Sequence, residues 1–195
     1  MRLRIALALA LLTAVVSGSA SLSAGRAPVM TGPTFTTIGP LAFGPDGTLF
    51  AADRTAATIV AMTLGPATGV PGTQDVDGID TRIAALLGTD AAGITITDLA
   101  VHPTTKQSYL SVMRGTGPDA RPALVKVDGA GAITLVDLAP LTFTSVALPN
   151  PAAVNPNGRG GRAQSVTDLS FIDGRLYVAG LSNEEFASKL WSVAY

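Results

Sequence analysis

Two aspartates stand at matching places in the chain. Asp98 precedes the apolar run Leu99-Ala100-Val101, and Asp168 precedes Leu169-Ser170-Phe171. Carboxylates gathered at the start of such runs are hard oxygen donors, suited to a divalent cation such as calcium or to a polar ligand. A short acid just ahead of a strand also serves to satisfy turn amides, so both readings stay open at this point. The first copy of the phrase, Pro40-Leu41-Ala42-Phe43, has proline where the others have the acid, which breaks any symmetric ring of ligands.

Other chemistry is narrowly bounded. There is one histidine, His102, and no cysteine. That removes disulfides, thiol nucleophiles and the common zinc ligand sets. A serine triad would have to run through His102, and the chain has no Gly-x-Ser-x-Gly elbow. His102-Pro103 also stands where the first repeat has Gly44-Pro45, which marks it as a turn position. The stretch Asp75-Val76-Asp77-Gly78-Ile79-Asp80 has the look of a calcium loop, but its twelfth position is Leu86 where an EF-hand needs glutamate. Asp80 reads better as the N-cap of a short helix through Gly88, with Ile83, Leu86 and Leu87 on one face. Asp53-Arg54, Arg114 and Asn183-Glu184-Glu185 each follow the second apolar run of a unit. They are candidates for a polar rim around a ligand.

The elements that must position these residues are repeated hairpins. Leu41-Ala42-Phe43, Leu99-Ala100-Val101 and Leu169-Ser170-Phe171 alternate large and small side chains, as a strand with one packed face requires. Each is followed by a reversal, at Pro45-Asp46-Gly47, Pro103-Thr104-Thr105-Lys106 and Asp173-Gly174, the last with the signature of a type I′ turn. A second run then follows, and a third at 59–62, 124–127 and 190–193; the middle unit adds a fourth at 132–136. The anchoring leucines lie 58 and 70 residues apart, so insertions separate the units. One insertion spans about 65–93 and carries the helix. The other, about 141–164, is rich in Pro, Asn and Gly and reads as a mobile surface loop.

The phrase Leu41-Ala42-Phe43-Gly44-Pro45-Asp46-Gly47-Thr48-Leu49-Phe50-Ala51-Ala52-Asp53 resembles the β-propeller superfamily, in particular its NHL-like and gluconolactonase-like blades. The stretch 177–190 resembles secreted bacterial propeller proteins of unassigned function. The resemblance implies an all-β fold, a partial β-propeller of about three four-stranded antiparallel blades at 37–93, 94–164 and 165–195. The last blade is expected to be incomplete, and one short helix is inserted. Three units do not close a ring of four to eight blades, so a fragment or association through open blade edges is expected. Taken literally, the gluconolactonase-like likeness implies a metal-dependent lactonase or esterase with Asp98, Asp168, Asn183 and Glu184 as ligands, calcium being the natural cation. The other expectation is a binding or scaffold module for a protein or a polysaccharide, for which no catalytic group is needed.

Compartment is read from the N-terminus. Met1-Arg2-Leu3-Arg4 is basic, Ile5 to Val16 is apolar and uncharged, and small residues follow to Ala24. That is the layout of a secretory leader over 1–24, too short to span a bilayer, with a lead-in at 25–36. A secreted or periplasmic protein, free of the membrane after cleavage, is expected. Loss of Arg2 and Arg4 with the leader takes the formal charge from −1 to −3. A nucleic-acid partner would call for a basic surplus, so none is expected.

Overall fold

The computed structural model describes residues 32–72, 74–154, 161–185 and 187–194. The leader and most of the lead-in lie outside the described residues, as do 155–160 of the second insertion. The described chain is all-β, with three antiparallel sheets and one α-helix, an open partial propeller. The first sheet joins β1 (Leu41–Phe43), β2 (Thr48–Asp53), β3 (Thr58–Thr63) and β8 (Thr142–Ala147) in the order β1-β2-β3-β8. The second is β4 (Ile94–Val101), β5 (Ser108–Arg114), β6 (Arg121–Val127) and β7 (Ile133–Leu135). The third has three strands, β9 (Asp168–Ile172), β10 (Arg175–Leu181) and β11 (Ser188–Ala194). Helix α1 covers Ile79–Leu86. Among the described residues no helix is long and apolar enough to cross a membrane.

The sheets do not stack in chain order, because the first lies between the other two. Its strand β2 is buried along its whole length, as a run packed on both faces must be. Leu49 and Ala51 point into a core shared with Tyr109, Met113 and Leu124 of the second sheet. Phe50 and Ala52 point the other way, into a core shared with Leu169, Leu176, Val178 and Trp191 of the third. The Phe50 and Phe171 rings stack 5.6 Å apart across that second core.

The repeated leucines all face the same way round this arc. Leu169 packs into the first sheet and Leu41 into the second. On β4 the small residue Ala100 takes the inward contact, so Leu99 points outward and is 51% exposed. What covers the rest of that outer face is α1, whose Ile83 is fully buried against Leu110, Val112 and Val125.

The turns obey their local chemistry. Asp173 and Gly174 have φ of 49° and 76°, the two positive values that a type I′ turn requires. Gly47, at φ 85°, closes the first hairpin with a bond from Gly44 N–H to the Thr48 carbonyl, 2.9 Å. The second hairpin is one residue longer and puts Lys106 at φ 60°.

Two local expectations need correction. The N-cap of α1 is Gly78, in the left-handed region and without a side-chain cap bond. Asp80 sits inside the first turn, where its charge opposes the positive end of the helix dipole. Ile83 and Ala84 are buried, whereas Leu86 is exposed, because the packed face is set by β5 and β6. The second insertion is not loop throughout either. Its residues 142–147 form β8, which pairs with β3 from Thr58↔Ala147 to Thr63↔Thr142.

Candidate functional site

The innermost strands converge at a polar seam, and Asp98 is part of it. A register shift between Ile96 and Asp98 bulges β4 at Thr97, which turns successive side chains toward the first sheet. Asp98 Oδ2 accepts the backbone N–H of Leu41 at 2.7 Å. Strand β1 pairs with β2 on its other edge, so that carboxylate serves an amide the sheet ladder does not reach. Beside it, Ser111 Oγ donates to the Gly39 carbonyl at 2.8 Å, and Thr97 Oγ1 lies 2.9 Å from the Ile38 carbonyl and 2.8 Å from Ser111 Oγ. Edge groups of the segment leading into β1 are thus answered by side chains of the neighbouring sheet.

The other sequence-predicted residues bond to partners of their own. Asp168 Oδ1 accepts the N–H of Leu169, 2.8 Å away, and caps its own strand. Glu184 pairs with Lys189 and accepts from Asn150 Nδ2 at 3.1 Å; the ammonium, then the amide, hold its carboxyl below the usual range. Asn183 is exposed and donates its backbone N–H to the Asn150 carbonyl. Among the described residues, no three His, Cys, Asp or Glu side chains gather as a metal would need.

The rim residues divide in the same way. Asp53 is buried and accepts from the N–H groups of Thr36, Thr37, Thr55 and Ala56 and from the Thr37 hydroxyl. It ties the lead-in to the turn after β2. Arg54 lies across Gly39, where a Cβ would stand 2.8 Å from its side-chain carbons, and its Nε is buried without a partner. Arg114 reaches the Gly88 carbonyl at 3.4 Å, at the far end of α1, and Glu185 is exposed. His102 shapes its turn, with Nδ1 accepting the amides of Thr104 and Thr105, each at 3.2 Å. Burial of the ring, and then the nearby Lys106 charge, pull its pKa below the ordinary value of 6.5.

A different place has the form of a docking site. In the first and second sheets the third strand carries an outer neighbour, β8 on β3 and β7 on β6. In the third sheet β11 pairs with β10 on one side, and no described strand pairs with its other side. Beside that free edge, where the outer part of the first sheet overhangs the third, lies a cleft of about 150 Å³. Phe50, Ile59, Val146, Leu176 and Val193 give it an apolar lining, and Thr144 and Ser145 add hydroxyls. Every residue of β8 is exposed, Val146 by 44%. Sequence reasoning passed over these residues because they lie in the second insertion; the alternation Thr142-Phe143-Thr144-Ser145-Val146 was the signal available.

Comparison of the chain with protein-family models, with curated proteins and with solved structures finds no match.

Proposed function

We propose that the chain is an exported binding module with NHL-like blades, which holds a polypeptide partner by adding one extended segment of it to the edge of the third sheet. The observation that carries this reading is the free side of β11 beside an apolar cleft. Strand addition draws affinity from main-chain hydrogen bonds and specificity from alternate side chains entering a pocket. The cleft has room for a branched apolar side chain, and the opposite face of β11 presents Ser188 and Ser192 with the exposed Leu190 between them. A fitting segment therefore turns an apolar residue toward the cleft. Export is supported by the leader pattern at 1–24.

The test uses an eight-residue peptide with the sequence of residues 141–148, because β8 is the strand the fold itself adds to the corresponding edge of the first sheet. Titration followed by amide chemical shifts is expected to perturb β11 and the cleft wall saturably. Val146→Lys, which puts a charge into the cleft from an exposed position, is expected to weaken binding. Absence of saturable shifts up to about 1 mM peptide, or shifts confined to the second sheet, would overturn the reading.

A further inference from the structure

We infer that the seam between the first and second sheets, beneath residues 64–68, is a binding site for a small neutral polyol such as a single sugar unit. It is separate from the β11 edge and does not depend on it. Here the first hairpin turn, the end of β3 and the second hairpin turn surround a cavity of about 370 Å³, lined by Asp46, Thr63, His102, Thr104 and Tyr109 among others. Leu64, Gly65 and Tyr109 also line an adjoining cavity of about 320 Å³. Tyr109 is thus the one polar side chain in the wall common to both.

Tyr109 is 6% exposed, and its ring meets Phe43 edge-on at 5.3 Å. Its hydroxyl has no hydrogen-bond partner among the described residues, yet it is not among the polar atoms sealed from solvent. Burial raises its pKa, so it stays a donor. A buried phenol normally finds a partner for its hydroxyl; here the group opens onto the cavities instead. His102 supplies a second donor. Its Nδ1 accepts two backbone amides, which leaves the ring proton on Nε2, and Nε2 lies beside Gly47 on the cavity wall. The Thr63 and Thr104 hydroxyls have no side-chain partner among the described residues and can donate or accept.

Charge selects the ligand class. The Asp46 carboxylate is already engaged by the Thr48 N–H and hydroxyl, at 3.0 Å each, and His102 is held neutral. The larger cavity therefore offers hydroxyl, phenol and imidazole groups, with the Asp46 carboxylate as a further acceptor. Such a set complements the mixed donor and acceptor pattern of vicinal hydroxyls, and suits an anion poorly.

The probe is methyl β-D-glucopyranoside, titrated into the full chain with amide chemical shifts as readout and sodium sulfate as the anionic comparison. The expected result is saturable movement of Gly47, Thr63, Thr104 and Thr105, with sulfate inert. Tyr109→Phe keeps the ring packing and removes the hydroxyl, so it is expected to weaken binding roughly fivefold, as one lost hydrogen bond implies. Thr63→Val, at an exposed site, gives a second reading should the core variant fail to fold, with a loss of similar size. No saturable shift up to about 100 mM glucoside, a preference for sulfate at the same amides, or undiminished affinity in the folded variants would overturn the proposal.

Discussion

Replacing Asp98 by alanine strands the backbone N–H of Leu41. That amide lies on the edge of β1 that does not pair with β2, and its bond to Asp98 Oδ2 is 2.7 Å long. Leu41 itself is 5% exposed, so water has little access to the orphaned group. Losing a charge-assisted bond and leaving a buried donor unsatisfied costs about 2 kcal/mol. For a domain of this size that corresponds to a fall in Tm of about 4–8 °C. Asp98→Asn keeps an acceptor oxygen in place and gives up only the charge, so a loss of about 1 kcal/mol is expected. Calorimetry on the three proteins, with hydrogen exchange at the Leu41 amide, measures both effects. An alanine variant melting within about 1 °C of the parent would refute the seam role. So would a Tm raised by calcium in the parent and not in Asp98→Asn, which would return this carboxylate to the part of a ligand.

The remaining predictions address packing and charge. A Cβ on Gly180 would stand 2.0 Å from the Ser165 carbonyl oxygen, so Gly180→Ala is expected to destabilise by about 1–3 kcal/mol in chemical denaturation; an unchanged midpoint would show that the backbone there yields freely. Leu41→Ala empties a shared core and should cost about 2–4 kcal/mol, while Leu99→Ala, at a half-exposed site, should cost about 1 kcal/mol or less; equal losses would contradict the direction in which the repeats pack. The folded pKa of His102 lies below 6.5 through burial and then Lys106. Its neutral form therefore favours the fold above pH about 6.5, and stability is drawn down as pH falls from there through the folded value. Titration of the ring by NMR should show the depressed pKa, and Tm scans should lose that step in His102→Asn. Asp128 is held below 3.8 by the Val70 amide first, then by those of Ala132 and Ala130. The stability it confers at neutral pH is lost as pH falls below about 3.8, and hydrogen exchange near Val70 should quicken there before the global acid transition.

The local grammar of the chain was open to inspection and the partnerships were not. Asp173-Gly174 announces its turn because only certain residues accept positive φ, and alternation at Leu41-Ala42-Phe43 announces a strand because side chains on a pleat must face opposite ways. Nothing in either signal says which edge pairs with which. Strand β8 has the β-branched alternation of a strand, yet it sits among proline and asparagine in an insertion. Its partner β3 lies on the far side of the whole second sheet in sequence. The acids show the same division. The position of Asp98 before a packed leucine was visible, whereas its bond to the amide of Leu41 depends on a bulge at Thr97 and on two sheets meeting. Tyr109 and His102 share a cavity wall for the same reason: the hairpin that carries them is local, but their approach to Gly47 and Leu64 is not.

By itself, the amino-acid sequence determined the all-β class, the three repeated hairpins, the turn geometries and the small inserted helix, because these follow from steric rules and side-chain periodicity over a few residues. Only the tertiary structure decided that the first sheet lies in the middle, that the second insertion lends it a strand, and that Asp98 answers an amide of the neighbouring sheet while Asp168 answers one of its own strand. It also decided that the free edge of β11 adjoins a cleft. Those outcomes depend on which apolar faces find one another, and faces of similar composition are told apart by shape and distance in space.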